Sequence, residues 1–95
     1  MKKAPVAQMH SLVAALEQRA REDGGQPAFT WLEQGERAGA RLSFTQLDAQ
    51  ARAIGAQLQA VCAAGDRVLL AYPPGLEYVA AFFGCLYAGL IAVPA

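Results

Sequence analysis

Residues 67–95 constrain the fold of this chain more than any other stretch. Arg67-Val-Leu-Leu-Ala-Tyr72 is a short apolar run set between Gly65-Asp66 and Pro73-Pro74-Gly75, the pattern of a strand covered on both faces. Pro73 and Pro74 have no N–H to donate, so the strand ends there. Leu76 to Ala88 reads as a helix and Gly89 stops it. Leu90-Ile-Ala-Val93 is then a second buried strand, set parallel to the first by a right-handed crossover. A βαβ unit needs helices over both sheet faces and further strands beside it, and nothing follows Val93-Pro94-Ala95 to supply them. The expectation is an α/β architecture incomplete alone: the opening segment of a larger enzyme, with its chemistry mostly beyond residue 95.

The charge distribution points the same way. Fifteen of the sixteen acidic and basic residues lie in positions 1–67, and only Glu77 follows. The first two-thirds can make a solvated surface, whereas the last third is built to be enclosed. A chain of 95 residues buries roughly 60–65% of its unfolded surface at best, so an apolar tail of this length implies a covering layer from elsewhere.

Upstream, Met1 to His10 has no periodic pattern and reads as a loose arm. Ser11 is a candidate N-cap for a helix to about Asp23, with Leu12, Val13, Leu16 and Ala20 on one face, and Gly24-Gly25 stops it. Ala28 to Glu33 and Arg41 to Phe44 are strand-forming runs joined through Gly35 and Gly39, which predicts a hairpin. Thr45 and Asp48 resemble a capping box with Asp in place of Glu. The helix after it runs to about Cys62, with Leu47, Ala51, Ile54 and Leu58 recurring at helical spacing. Gly55 inside that helix costs about 1 kcal/mol against Ala unless close packing requires it. Gly65 suits a left-handed position in the following turn.

Several function classes fall away. Eight Lys or Arg balance eight Asp or Glu, and with no basic stripe a nucleic-acid footprint is not expected. No apolar h-region follows Lys2-Lys3, so no signal peptide is read. Tyr78–Ala95 is an uncharged run of 18 residues, at the short limit for a membrane span; Gly84, Gly89 and Pro94 interrupt it, and no span is expected. Cys62 and Cys85 are too far apart for a Cys-x-x-Cys pattern and sit among apolar residues, which reads as two reduced thiols in a cytoplasmic protein.

No catalytic, cofactor-binding or metal-ligating residue is assigned. His10, the only histidine, lies in the arm. Ser11 reads as a cap and Ser43 as a strand residue, and neither stands in a Gly-x-Ser-x-Gly elbow. Gly84-Cys-Leu-Tyr-Ala-Gly89 has phosphate-loop glycine spacing but is followed by Leu90-Ile91 rather than Lys and Ser or Thr, so packing glycines are expected. Tyr72-Pro-Pro-Gly75 sits at the carboxyl end of a strand, where α/β folds bind ligands. It offers backbone amides but no side-chain donors, and a rigid turn is the expectation.

Three ordered segments resemble the adenylate-forming superfamily of acyl-CoA synthetases, fatty acyl-AMP ligases and amino-acid-activating domains. Leu42-Ser-Phe-Thr-Gln-Leu47 is similar to its Leu-Thr/Ser-Tyr-x-Glu-Leu, with Phe44 and Gln46 departing from the commoner Tyr and Glu. Gly65-Asp66-Arg67-Val68 is similar to its Gly-Asp-x-Val strand entry. Leu86-Tyr-Ala-Gly89 and the run to Pro94 resemble its helix-Ala-Gly-x-x-x-Val-Pro. Residues 72–89 look most like the fatty acyl-AMP ligases, which often open polyketide or nonribosomal-peptide assembly lines.

The resemblance implies that residues 11–95 are the N-terminal part of the large subdomain of an acyl-adenylating domain. It further implies a parent ligase that uses ATP and Mg2+ to turn a fatty acid into an acyl-adenylate, then passes the acyl group to the phosphopantetheine thiol of an acyl carrier protein. The family's phosphate loop, acidic residues and catalytic Lys match no position in residues 1–95, so the segment is expected to be an inactive scaffold whose first partner is the remainder of the enzyme. A fatty acyl-CoA ligase segment, a stand-alone interaction module and a membrane-anchored small protein are the alternatives.

Overall fold

The computed structural model describes residues 6–33, 37–73 and 75–94. Its elements run α1 (Val6–Glu22), β1 (Pro27–Glu33), β2 (Arg37–Ser43), α2 (Phe44–Gln59), β3 (Arg67–Leu70), α3 (Leu76–Tyr87) and β4 (Ile91–Pro94). β1 and β2 form an antiparallel hairpin; β3 and β4 pair in parallel with α3 as the crossover. The expected succession of helix, hairpin, helix and βαβ unit is present.

Several boundaries differ from the sequence reading, among them the end of α2 at Gln59 rather than about Cys62, and three have a local reason. α1 begins at Val6, so Ser11 lies inside the helix rather than at its cap, and the stretch read as a loose arm is helical from residue 6 on. Residues 1–5 lie outside the described residues. β2 starts at Arg37 instead of Arg41, because the hairpin absorbs the glycine-bearing stretch through two register irregularities. α2 is capped two residues earlier than expected. Ser43 accepts the Gln46 N–H at 3.1 Å while the Gln46 side chain accepts the Ser43 N–H at 2.9 Å. The reciprocal box is therefore Ser43/Gln46, not Thr45/Asp48, and Phe44 is the first helical residue. Gln has the reach to return to the cap amide that Asp, one methylene shorter, lacks.

The turn before β1 completes this cap. Phe44 N–H donates to the Gln26 carbonyl at 3.1 Å, and Thr45 N–H to the Gly24 carbonyl at 3.0 Å. The amides at the start of α2 are thereby occupied from within the chain. A Cβ on Gly24 would strike the Thr45 hydroxyl, so the α1–β1 turn docks there only with glycine.

α2 and α3 pack through a pair of glycines. A Cβ on Gly84 would lie 2.6 Å from Ile54 Cγ2 and 2.8 Å from Ile54 Cβ; one on Gly55 would lie 3.1 Å from the Gly84 carbonyl oxygen. The helical cost of Gly55 thus secures a close approach, the exception the sequence reading allowed for. Two apolar clusters meet at this contact. One is centred on Leu16, Leu42, Leu47 and Ala80, the other on Leu70, Ala81, Cys85, Ala88 and Leu90. Among the described residues no buried side-chain polar atom lacks a hydrogen-bond partner.

The exit from α3 explains the Tyr-Ala-Gly-Leu sequence there. Gly89 takes φ 75°; its N–H donates to Leu86 O at 3.1 Å, and Leu90 N–H to Cys85 O at 2.9 Å. This is a Schellman motif, with the apolar Leu90 packed back toward Cys85. Gly65, at φ 85°, makes the matching turn into β3. Its N–H donates to Gly89 O at 2.9 Å, and Ile91 N–H donates to Asp66 O at 2.8 Å. The two strand entries are therefore tied together before the ladder begins. The Asp66 carboxylate also accepts the Ala63 N–H at 2.8 Å.

β3 departs from expectation in length. It ends at Leu70, and Ala71 to Pro73 are exposed and irregular. Leu70 is 3% exposed beneath α3, whereas Leu69 is 66% exposed. Side chains alternate across a strand, so one face of the β3–β4 sheet is packed and the other is open. No helix among the described residues is long and apolar enough to cross a membrane.

Candidate functional site

Two places in the fold concentrate polar groups or free backbone. The first is the turn at the carboxyl end of β3. Gly75 caps α3 with no side-chain hydrogen bond, and Glu77 stands in the first helical turn. A carboxylate there already complements the helix dipole and repels a second anion, so nothing in this turn builds a phosphate site. Residue 74 of the expected rigid turn Tyr72-Pro-Pro-Gly75 lies outside the described residues.

The second is a groove of about 370 Å³ between α1 and α2, closed at one end by Tyr87 of α3 and lined also by Val13, Glu17, Arg52, Gly55, Ala56 and Gln59. Its polar wall is one continuous network. The Tyr87 hydroxyl donates to Asp48 Oδ1 at 2.6 Å. Arg52 Nε donates to both Asp48 oxygens at 3.1 and 3.0 Å, and its Nη2 to Glu17 Oε2 at 2.9 Å. The same guanidinium lies 5.2 Å from the centre of the Tyr87 ring, within cation–π range.

The consequences for ionisation follow from that geometry. Burial first, and then the hydrogen bond to Asp48, push the Tyr87 phenol well above its ordinary value, because the charged form would be desolvated and would face a carboxylate. The hydrogen bonds to Asp48 and then Glu17 hold the Arg52 guanidinium still more firmly protonated. Tyr87, Asp48, Arg52 and Glu17 are thus engaged with one another, and the network acts as a tie joining α1, α2 and α3. Its ion pairs are substantially exposed, so each contributes at most about 1 kcal/mol. The Tyr87 hydrogen bond, which joins residues 39 apart in sequence, is the part that fixes α3 against α2.

Sequence reasoning missed this network, reading Asp48 only as part of a capping box. Asp48 and Arg52 stand four apart on one helix, a pairing visible from spacing alone. Their partners Glu17 and Tyr87 come from other helices, and no local pattern announces them. The remaining residues weighed for chemistry are dispersed. Ser43 is a cap, Cys85 is buried with its thiol pushed up by desolvation, and Cys62 is half-buried and likewise free. The side chain of His10 lies outside the described residues. Among the described residues no three His, Cys, Asp or Glu side chains are grouped to hold a metal ion.

The sequence model for AMP-binding enzymes matches residues 16–95. The chain belongs to that family. Within it, the chain is 44% identical over 85 residues to the medium-chain-fatty-acid–acyl-carrier-protein ligase JamA of Moorena producens, and 45% identical over 87 residues to the long-chain-fatty-acid–AMP ligase FadD32 of Mycolicibacterium smegmatis. These alignments cover 90% and 88% of this chain but 14% of each relative, so the chain spans about one-seventh of their length. The crystal structure of the fatty acyl-adenylate ligase of L. pneumophila, solved with acyl adenylate and pyrophosphate, superposes with a TM-score of 0.82 at 43% identity. It covers 100% of this chain and 17% of its own. The fold described above is the N-terminal part of that ligase fold.

Within the AMP-binding family the three motif segments now have structural roles. Leu42 to Leu47 carries the capping box between two buried leucines; Gly65-Asp66 ties the entries of β3 and β4; Leu86 to Leu90 is the Schellman exit of α3. Phe44 and Gln46, the two departures from the commoner residues, are a half-buried ring and a working cap partner.

Proposed function

We propose that this chain is the N-terminal scaffold segment of a fatty acyl-AMP ligase. The whole enzyme converts a fatty acid and ATP into an acyl-adenylate and pyrophosphate, and then transfers the acyl group to the phosphopantetheine thiol of an acyl carrier protein. The observation that carries this reading is the family match over residues 16–95, joined to the similarity to ligases of fatty acids at 43–45% identity. A cytoplasmic setting agrees with the two free thiols.

ATP and Mg2+ are assigned to residues outside this chain. Stabilising charge on a transferring phosphoryl group takes cationic side chains and metal-holding carboxylates aimed at it. The residues present do not fit that demand: the first amides of α2 are spent on the capping box and the α1–β1 turn, the first turn of α3 carries Glu77, and Arg52 is held between two carboxylates. No catalytic residue is therefore placed in this chain. What it contributes is position, through a βαβ unit held to two further helices.

Fatty-acid-dependent ATP–pyrophosphate exchange tests the assignment. The isolated 95 residues are expected to give no exchange above the rate without protein. Exchange by the isolated chain would place the adenylating residues within it and refute the scaffold role.

A further inference from the structure

Cys62 and Cys85 are the two cysteines of the chain, both are free, and the fold brings them to one apolar cluster from the two sides of the α2–α3 contact. Cys62 lies just past α2, where its N–H still donates to Leu58 O at 2.8 Å, so Leu58 and Cys62 stand one helical turn apart on the same face. Both pack against the cluster of Leu70, Ala81, Cys85, Ala88 and Leu90, of which Ala81, Cys85 and Ala88 recur at helical spacing on α3. Two ties bracket the pair. On one side of it, a Cβ on Gly55 would meet Gly84 O at 3.1 Å and Ala88 N at 3.6 Å, so the two helix backbones nearly touch. On the other, Gly65 N–H donates to Gly89 O at 2.9 Å. Cys62 stands between Gly55 and Gly65, and Cys85 between Gly84 and Gly89. Burial first, and then the neighbouring Cys62, push the Cys85 thiol up. The two differ in access: Cys62 is half-buried, whereas Cys85 is 0% exposed.

We propose that Cys62 and Cys85 form a redox-modification site, closed by hydroperoxides into a disulfide that joins the exit of α2 to α3. Cys62 is the attacking residue, because a reagent can reach it. Its thiolate attacks the peroxide O–O bond, which breaks; one oxygen stays on Cys62 as a sulfenic acid, and the other leaves with the second bonding pair and takes up a proton, as water or an alcohol. Cys85 is the resolving residue. Its sulfur gives up a proton and attacks the Cys62 sulfur, the S–S bond forms, and the displaced hydroxide takes that proton and leaves as water. Two thiols are oxidised by two electrons in all, and the peroxide is reduced by two. An external thiol reverses the change by exchange. A transient bond of this kind is the sort a reducing compartment permits. The loop it closes holds β3 and most of α3, so the βαβ unit becomes locked to α2. The inference does not depend on the ligase reading above.

The test treats the full chain with hydrogen peroxide in native buffer, follows helical circular dichroism, and maps the thiols by peptide mass spectrometry with dimedone present to trap sulfenic acid. The expected result is an intramolecular Cys62–Cys85 disulfide, formed with the helical signal unchanged and removed by dithiothreitol. Cys85→Ala should raise the dimedone adduct on Cys62 at least tenfold, since the resolving thiol is gone. Cys62→Ser, at the half-buried position, should leave the Cys85 thiol unmodified over the same period. A disulfide that forms only in denaturing urea, disulfide-linked dimers in its place, or sulfinic acid on Cys62 with Cys85 still reduced overturns the proposal. So does a Cys62→Ser chain whose Cys85 is oxidised at the parental rate, because the buried thiol is then attacked directly.

Discussion

Replacing Gly84 with Ala isolates the contact that sets the α2–α3 spacing. The new methyl carbon would stand 2.6 Å from Ile54 Cγ2 and 2.8 Å from Ile54 Cβ, against an ordinary carbon–carbon contact of roughly 3.5–4.0 Å. Rotating Ile54 cannot relieve a clash with its own Cβ, and a β-branched residue on a helix has one strongly preferred χ1 in any case. The helices must therefore separate by several tenths of an ångström, which costs about 1–3 kcal/mol for overpacking of this kind. The helical preference of Ala over Gly returns about 1 kcal/mol. Gly55→Ala is the internal control, because it gains the same preference but meets its nearest atom at 3.1 Å. Urea unfolding followed by helical circular dichroism should place Gly84→Ala about 1–2 kcal/mol below Gly55→Ala. At a slope of about 1–1.5 kcal/mol per molar urea, that is a midpoint difference of about 1 M. Equal midpoints, or a Gly84→Ala variant more stable than the parent chain, would refute the packing argument.

The polar tie, the cap and the thiols each yield a further expectation. Tyr87 holds its proton more tightly when folded than the ordinary phenol value of about 10. Its contribution to stability is therefore intact below pH 10 and declines as pH rises above it, since the unfolded chain then sheds a proton the folded one keeps. Tyr87→Phe should lower stability near neutral pH by about 1 kcal/mol for the lost hydrogen bond and should flatten the alkaline decline; an unchanged decline would contradict this. Ser43→Ala should cost about 0.5–2 kcal/mol by removing the α2 cap, with Ser43→Gly milder, and equal values would assign the loss to something other than the cap. Under native conditions a thiol reagent should modify Cys62 before Cys85, which is fully buried with a raised thiol pKa. Simultaneous modification would mean that the α3 core opens as readily as the surface.

The order of elements was legible because each has a local signature. Apolar residues three and four apart mark α2, and glycine marks the exits of α3 and of the turn into β3, whereas the prolines placed the end of β3 too late, since the strand stops at Leu70. What escaped notice depends on two signals competing at one residue. Ser43 is at once the last residue of β2 and the cap of α2, and reading it as a strand residue moved the cap to Thr45. Ser43-x-x-Gln46 was itself the capping-box spacing. The early start of α1 was hidden because Val6 to His10 carries no stripe of its own. The Glu17 and Tyr87 arms of the polar tie are set by tertiary packing across 35 and 39 residues, beyond any periodicity.

The claim that this chain is an interchangeable scaffold of a fatty-acid-activating ligase is tested most directly by a chimera. Residues 11–95 replace the equivalent segment of the L. pneumophila ligase, and fatty-acid-dependent ATP–pyrophosphate exchange is measured alongside the thermal midpoint. The account predicts a folded chimera whose exchange rate stays within about tenfold of the parent ligase, a change of about 1.4 kcal/mol in the barrier. A chimera that folds with the parent's midpoint yet has lost exchange altogether would show that these residues do more than position the site, and would contradict the scaffold account.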